Sequence, residues 1–240
     1  MPDIILCSTP QEVAHTAAEH IVSLAKESIT DRGRFKIALA GGGTPVDTYQ
    51  ALASPEFSPR VDWERVHVFW GDERPVPPHH EDSNYRMTRQ NLLKDVPIPK
   101  ENIHRMQGEL EPHKAAENYQ QTLRELFDQQ PPRLDLILLG MGRDGHTASL
   151  FPGTALLYEK ERWIAAHYIQ KLKSWRITFT PPLINAAANV IFLVTGEGKA
   201  DILKRVLSGP YQPETYPAQL IQPENGTLLW LLDAEAAKLL

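Results

Sequence analysis

Short apolar runs alternate with longer amphipathic segments along most of this chain. Apolar runs of a few residues are typical of buried strands, whereas apolar positions spaced three and four residues apart predict helices. We therefore predict strands over residues 2–9, 34–40, 66–70, 134–139, 162–168, 176–180, 189–195 and 227–232. The predicted helices span residues 10–29, 46–52, 84–93, 114–127, 182–188 and 198–207.

Strands that alternate with helices predict a doubly wound α/β fold, in which a mostly parallel sheet carries helices on both faces in a Rossmann-like manner. The fifth and sixth predicted strands are expected to be the antiparallel exceptions. No stretch has the composition of a linker, so we expect residues 1–240 to form a single domain. Two helix starts carry capping signals: Thr44 followed by Pro45 in the first turn, and Ser83 before Asn84.

The composition is that of an ordinary globular protein, with 42% hydrophobic and 23% charged residues. A net charge of −5 argues against general nucleic-acid binding, yet it leaves room for a small anion held by a few local cations. No apolar run reaches the roughly 18–20 residues of a membrane span, and no secretory signal is visible. The one cysteine, Cys7, excludes an internal disulfide and is expected to be buried in the first strand. We therefore expect a cytoplasmic monomer or weak homodimer without a nucleic-acid or membrane partner.

The loop Gly41-Gly42-Gly43-Thr44 joins the second predicted strand to a helix. In open α/β sheets, ligands bind beyond the carboxyl ends of the strands. A helix N-terminus there presents unpaired N–H groups and the positive end of the helix dipole. The loop contains neither a Walker A sequence nor the G-x-G-x-x-G fingerprint. Gly42, Gly43 and Thr44 are therefore candidate phosphate ligands, with a merely tight turn as the alternative.

Charged residues also follow other predicted strands. Arg74, after the third strand, and Arg176, in a basic stretch, are candidate phosphate ligands because a guanidinium binds phosphate through two hydrogen bonds. Solvated surface charge is the alternative for both. Asp72 and Glu73 are not expected to form an acid–base pair, because neighbours on an extended chain point in opposite directions. Lys199 is expected to open a helix rather than to bind a substrate.

The most informative loop follows the strongly apolar fourth strand and spans residues 140–153. Its three glycines within residues 140–145 allow the backbone to approach a ligand closely. His146 is the candidate catalytic residue, because an imidazole titrates near neutral pH and can serve as a general base. Asp144 is placed to orient the ring or to support its charge. A structural histidine is the alternative.

Two other chemistries are disfavoured by the sequence. No H-E-x-x-H or paired C-x-x-C pattern accompanies the nine histidines, and His79 and His80 are merely adjacent in a proline-rich loop. Ser149 does not lie in a G-x-S-x-G elbow. We therefore expect neither a metal site nor a serine nucleophile.

Four blocks of the chain resemble the 6-phosphogluconolactonase family: residues 39–45, residues 70–74 with Ser83-Asn84-Tyr85, residues 140–151 and residues 175–178. They occur in that family's order, span most of the chain, and are most specific at residues 145–152. The resemblance implies hydrolysis of 6-phospho-D-glucono-1,5-lactone, a sugar-phosphate lactone, in the oxidative pentose phosphate pathway. It also implies a fold shared with glucosamine-6-phosphate deaminases, and no required metal or organic cofactor.

Those deaminases are the closest alternative, because they resemble this chain in the glycine-rich loop and in G-x-G-x-D-G-H. Their pattern places an acidic residue five positions after the histidine, where this chain has Phe151, and a tyrosine where it has Arg74. Both departures favour the lactonase. A sugar-phosphate sensor without activity is a third alternative, disfavoured because phosphate binding alone needs neither Asp144 nor His146. The resulting hypothesis is that His146 activates water.

Overall fold

The computed structural model describes residues 2–240 and places nine strands of that range in two sheets. They are β1 (Asp3–Cys7), β2 (Phe35–Leu39), β3 (Val66–Trp70), β4 (Asp72–Glu73), β5 (Leu136–Leu139), β6 (Ile164–Ile169), β7 (Ser174–Phe179), β8 (Asn189–Val194) and β9 (Thr227–Asp233). The larger sheet has the order β1-β9-β8-β5-β2-β3, and all its neighbouring strands are parallel. The smaller sheet, in the order β4-β7-β6, is antiparallel.

Helices cover both faces of the larger sheet. They are α1 (Pro10–Arg32), α2 (Thr44–Ala53), α3 (Asn84–Thr88), α4 (Pro112–Leu126), α5 (Pro181–Asn185), α6 (Ala200–Ser208) and α7 (Ala234–Ala237). The first two contribute to one apolar core, and α4, α5 and α6 contribute to the other. Because a strand sends alternate side chains to opposite faces, β5 gives Leu136 and Leu138 to the first core and Ile137 and Leu139 to the second. Within residues 2–240, no helix has both the length and the apolar character needed to cross a bilayer.

The predicted α/β fold is confirmed, and the two strands expected to be antiparallel are β6 and β7. Strand and helix boundaries differ from the predicted ones by a few residues. Two short elements were not predicted, β4 and α7. The predicted helix at residues 84–93 is α3 followed by a single π-helical segment, Arg89–Leu93.

The two predicted helix caps have different outcomes. Ser83 caps α3, and its hydroxyl accepts a hydrogen bond from the N–H of Arg86 (3.2 Å). The predicted Thr44 cap is wrong, because Thr44 is already helical and Gly43 occupies the cap position. A glycine has no side chain that could accept hydrogen bonds from the first turn. The N-terminus of α2 is therefore left without a side-chain cap.

All six parallel strands end at the same edge of the larger sheet. The segments that follow β8, β5, β2 and β3 lie next to one another there, because these strands are neighbours in that order. The smaller sheet closes one side of this edge: the N–H of Phe179 donates to the carbonyl of Gly71 (2.8 Å), directly after β3. The fold thus gathers four strand-end segments and a hairpin in one place.

Asp233 ends β9 and fixes the turn that follows β8. Its buried carboxylate accepts hydrogen bonds from the N–H groups of Gly196 (3.0 Å) and Ala236 (2.8 Å). Asp233→Ala leaves the buried N–H of Ala236 and the partly buried N–H of Gly196 without this acceptor. We therefore expect it to lower the free energy of unfolding by about 1–3 kcal/mol in chemical denaturation. Glu235→Ala, in the exposed part of the same helix, is the control and should cost less than about 0.5 kcal/mol. Equal losses in the two variants would contradict this role of Asp233.

Candidate active site

A cavity of about 430 Å³ lies at the carboxyl edge of the larger sheet. Its walls come from the loops after β2, β3 and β5 and from the turn between β6 and β7. The lining includes every site residue proposed from the sequence: Gly42, Gly43, Thr44, Arg74, Asp144, His146 and Arg176. The fold therefore brings residues from distant parts of the sequence to one cavity, which is large enough for a small molecule.

The loop after β5 is folded tightly on itself. The N–H of Gly142 donates to the carbonyl of His146 (2.8 Å), and the Thr147 hydroxyl donates to the carbonyl of Gly140 (2.8 Å). Gly145 has a φ of +78°, a conformation that glycine adopts without steric cost. A Cβ atom at Gly142 would lie only 2.1 Å from Nδ1 of His146. Glycine at this position lets the imidazole rest against the backbone.

Asp144 and His146 form a hydrogen-bonded pair within this loop. Nδ1 of His146 lies 2.5 Å from Oδ1 of Asp144. Because an ionised carboxylate can only accept, Nδ1 carries the proton and Nε2 is left as the basic nitrogen. The His146 side chain is 29% exposed and lines the cavity. A ligand in the cavity can therefore reach the ring.

The surroundings of this pair keep the carboxylate ionised and the ring in place. Burial alone would raise the pKa of Asp144, but the hydrogen bond and charge of His146 outweigh it and hold that pKa below its usual range. Lys171 adds to this effect, with Nζ 3.3 Å from Oδ2 of Asp144. Phe151 stacks on the imidazole, with ring centroids 4.2 Å apart. The ring is thus fixed at its edge by Asp144 and on its face by Phe151.

The N-terminus of α2 forms another part of the wall. The N–H groups of Gly42, Gly43 and Thr44 donate to no protein group within residues 2–240. The Thr44 hydroxyl lies 3.4 Å from the hydroxyl of Thr195, which follows β8. Free N–H groups and the positive end of a ten-residue helix favour an anion at this position.

Arg74 and Arg176 line the same cavity. Arg74 donates to the carbonyl of Asp82, and Arg176 donates to the Ser174 hydroxyl (2.9 Å) and the Trp175 carbonyl (2.7 Å). Burial lowers the pKa of Arg176, and the nearby charge of Arg74 lowers it further. Within the described chain neither guanidinium forms an ion pair with a carboxylate. Two neighbouring cations held in this way favour a bound anion.

Asp72 and Glu73 point in opposite directions, as the extended chain predicts. Glu73 is buried and accepts hydrogen bonds from the N–H groups of Arg74 (2.8 Å), Asn84 (2.8 Å) and Tyr85 (2.9 Å). Burial raises the pKa of Glu73, and these hydrogen bonds oppose the rise. Glu73 therefore joins the end of β4 to the start of α3, while Asp72 lines the cavity.

The expectation for Lys199 was incomplete. A 3₁₀ turn, Glu197–Lys199, does lead into α6, but the side chain also lines the cavity. Its Nζ donates to the carbonyl of Met141 (2.5 Å). Burial lowers the pKa of Lys199, and the charge of Arg143 acts in the same direction. Lys199 is thus a further cavity cation, beside Arg74, Arg176 and Lys171, although the sequence alone assigned it to the start of a helix.

Asn84 and Ser149 are cavity residues that the sequence analysis did not propose as ligands. The Asp72 carboxylate accepts hydrogen bonds from the Ser149 hydroxyl (2.7 Å) and the Asn84 amide (3.2 Å). Asn84 is only 1% exposed, and its Oδ1 has no hydrogen-bond partner within residues 2–240. Ser149 reaches Asp72 because its N–H donates to Thr178, the β7 partner of Asp72, whereas Asn84 is held there by its N–H bond to Glu73. A two-residue strand gives no signal of these contacts in the sequence.

The group of potential metal ligands that lie close together in the described residues is outside the cavity. Among the described residues, the one close group of three is His15, Glu19 and Glu56, none of which lines the cavity. In the cavity, Nδ1 of His146 is already bonded to Asp144. That the site works without a metal stays a prediction.

The chain as a whole is similar to described enzymes. A family profile described as glucosamine-6-phosphate isomerases/6-phosphogluconolactonase matches residues 8–230. A 6-phosphogluconolactonase of a Nostoc species is 46% identical over 220 residues, covering 90% of this chain and 89% of that protein. One from a Synechocystis species is 42% identical over 241 residues, covering 99% and 98%. The structure of 6-phosphogluconolactonase from Trypanosoma brucei has a TM-score of 0.87 at 32% identity, covering 99% and 98% of the two chains.

The contact of Gly142 with the imidazole gives a test of the loop geometry. We expect Gly142→Ala to push the ring away from Asp144, because the added methyl would occupy the space next to Nδ1. The nitrogen NMR signals of His146 should then lose the pattern of a strongly bonded Nδ1–H. Gly140→Ala is the control, since a Cβ there meets no atom within 4 Å. Unchanged His146 signals in Gly142→Ala would show that the pair does not depend on this glycine.

Proposed function

This chain belongs to the glucosamine-6-phosphate isomerase/6-phosphogluconolactonase family, and we propose that it hydrolyses 6-phospho-D-glucono-1,5-lactone to 6-phosphogluconate. The observation that carries the proposal is one cavity that combines an accessible Asp144–His146 pair with the paired cations Arg74 and Arg176. The first arrangement suits attack of water on an ester carbonyl, and the second suits a phosphate on the same molecule.

In the proposed reaction His146 acts as the general base. Its Nε2 removes a proton from water as the oxygen attacks the lactone carbonyl and forms a tetrahedral intermediate. The bond from the carbonyl carbon to the ring oxygen then breaks, and the imidazolium returns the proton to that oxygen. The products are a carboxylic acid, which ionises, and a hydroxyl group. The imidazole ends the cycle neutral, as it began.

Asp144 supports His146 without touching the reacting atoms. Its hydrogen bond fixes the tautomer in which Nε2 is basic, and its charge stabilises the imidazolium formed during attack. The lowered pKa of Asp144 keeps the carboxylate ionised throughout the neutral range. Backbone N–H groups of the glycine-rich loops are the proposed donors to the oxyanion of the intermediate.

The phosphate, remote from the reacting carbon, is held by Arg74, Arg176 and the N–H groups of Gly42, Gly43 and Thr44. Lys199 adds a further positive side chain to the same cavity. This binding positions the ring, so that its energy contributes to catalysis although the phosphate does not react. The Asp72 carboxylate, at the cavity wall, offers an acceptor that suits the hydroxyl groups of the sugar.

We also propose that the reaction is metal-independent and that the deaminase alternative does not apply. A lactone carbonyl is already electrophilic, so a general base and positioning form a sufficient set of groups. Phe151 stands where the deaminase pattern has an acidic residue, and it packs on His146 instead. The test is acid release from freshly prepared 6-phosphogluconolactone, measured above its spontaneous hydrolysis and repeated with a chelator. No release above that background would end the proposal, whereas ammonia release from glucosamine 6-phosphate would support the deaminase.

Replacing the base should remove most of the catalysis. We expect His146→Ala to lower kcat by roughly 10²–10⁴-fold with little change in substrate binding, because the phosphate contacts remain. Steady-state kinetics with correction for spontaneous hydrolysis measures the effect. His79→Ala, which removes an exposed imidazole that does not line the cavity, is the control. Turnover near that of the unmodified protein in His146→Ala would exclude the ring as the base.

The two arginines should act on binding rather than on the chemical step. We expect Arg74→Met and Arg176→Met each to raise KM for the phosphorylated lactone about tenfold or more, since each removes a charge-assisted hydrogen bond. Glucono-1,5-lactone, which lacks the phosphate, should be hydrolysed equally by both variants and the unmodified protein. Arg89→Met, at an exposed position outside the cavity, is the control. An equal loss on both lactones would show that the arginines do not bind the phosphate.

A further inference from the structure

A second polar cavity, of about 660 Å³, lies at the opposite edge of the larger sheet, where the strands begin. Its wall contains residues that directly precede or open β2, β5 and β8, together with residues of α1. Arg34 and Lys36 lie at the start of β2, whereas Gly42–Thr44 of the active site follow its end. At about 3.3 Å per residue, the two places are on the order of 20 Å apart.

Positive charge predominates in this second cavity. Its charged lining consists of the cations Arg32, Arg34, Lys36 and Arg133 and the carboxylates Glu27 and Asp135. This excess of cations occurs in a chain whose net charge is −5. The local charge is therefore opposite to that of the molecule as a whole.

The buried carboxylate of this cavity is already engaged. Oδ1 of Asp135 accepts hydrogen bonds from Nε (3.1 Å) and Nη2 (2.9 Å) of Arg32, and Oδ2 accepts one from the backbone N–H of Lys36 (2.7 Å). Asp135 thus neutralises Arg32 and anchors the backbone of β2. It does not pair with the ammonium group of Lys36.

Lys36, Arg34 and Arg133 are the cations of this cavity that form no ion pair with a carboxylate among residues 2–240. Lys36 is only 9% exposed, and its Nζ lies 3.5 Å from the centre of the Phe127 ring. Burial lowers the pKa of Lys36 to about 8, and the neighbouring Arg34 contributes to the shift. A buried ammonium group beside a second cation is a costly arrangement unless negative charge offsets it.

The sheet holds these cations on one side. Arg34 and Lys36 are two residues apart on an extended chain, so they share a face, and His67 of β3 is the parallel partner of Lys36. Burial lowers the pKa of His67, and the charges of Arg34 and Lys36 do so further. The start of β2 therefore places the buried Lys36 next to the exposed Arg34.

We propose that this cavity is a second binding site, which takes a small molecule through a phosphate group carrying two negative charges. Arg34, Lys36 and Arg133 provide positive charges that no carboxylate neutralises. The Arg133 guanidinium also donates to the Asn225 carbonyl (2.6 Å). The volume is that of a small-molecule site, and its concave form suits a compact ligand rather than a nucleic-acid backbone. The proposal does not depend on the reaction at the first cavity.

The test is an NMR titration of the backbone amides of the full-length protein with inorganic pyrophosphate. We expect the amides of Lys36, Asp135 and Asn189 to shift in a saturable way, separately from those of Gly42 and Thr44, which report on the active site. Binding seen only at Gly42 and Thr44 would overturn the second site and leave the proposed function intact. A second titration, with adenosine diphosphate, shows whether the site recognises the phosphate or the nucleoside part of a ligand. Shifts with both compounds support phosphate recognition, and shifts with the nucleotide alone would overturn it.

Two variants test whether the NMR shifts caused by pyrophosphate depend on Lys36 and Arg34. Lys36→Met keeps the length and packing of the side chain over Phe127, and Arg34→Gln changes an exposed residue, so at least the latter should fold normally. We expect each to weaken pyrophosphate binding at this cavity about tenfold or more while lactone hydrolysis is unchanged. Lys204→Met, an exposed lysine of α6 outside the cavity, is the control. Equal affinity in Arg34→Gln, Lys204→Met and the unmodified protein would refute the proposal.

Discussion

The parallel arrangement of the larger sheet is the constraint on which the rest of this molecule depends. Parallel strands place all their carboxyl ends at one edge, so residues that follow β2, β3, β5 and β8 must meet there whatever their separation in sequence. Short, buried strands make that edge rigid, because each packs on both faces against apolar cores. Catalytic and phosphate-binding groups can then be supplied by loops, while their relative positions are fixed by the sheet.

The loop after β5 holds the His146 ring in one orientation at this edge of the sheet. Gly142 allows close approach, Asp144 fixes the proton on Nδ1, and Phe151 covers one face of the ring. The same Phe151 occupies the position at which related deaminases are expected to carry an acidic group. Phe151 thus packs on His146. Because it carries no acidic group, it cannot serve as the second acid that the deaminase pattern has at this position.

Much of this could be predicted from the sequence, because strand periodicity and glycine-rich strand ends are local signals. The same signals placed Gly42, Arg74, Asp144 and His146 beyond strands of one sheet, and the structure brings them to one cavity. The prediction that Thr44 caps α2 was wrong. A residue caps a helix or begins it depending on its own backbone conformation, and Thr44 is already helical. The cavity position of Lys199 depends on how α6 packs, which is tertiary information. The pairing of Asp72 with Ser149 likewise joins residues 77 positions apart and has no signature along the chain.

Charge distribution explains how an acidic protein can be organised around anions. A net charge of −5 is a sum over the whole surface, whereas binding depends on the field inside a concave wall, where low dielectric strengthens each interaction. In this chain cations lie near both ends of β2: Arg34 and Lys36 at its start, and Arg74 and Arg176 in the cavity beyond its end. Arg74 and Arg176 are held by hydrogen bonds to backbone carbonyls and a hydroxyl. Holding like charges together in this way is unfavourable by itself, and an anion bound at the proposed sites would offset that cost. Such binding would depend on the charge of the ligand more than on its apolar surface.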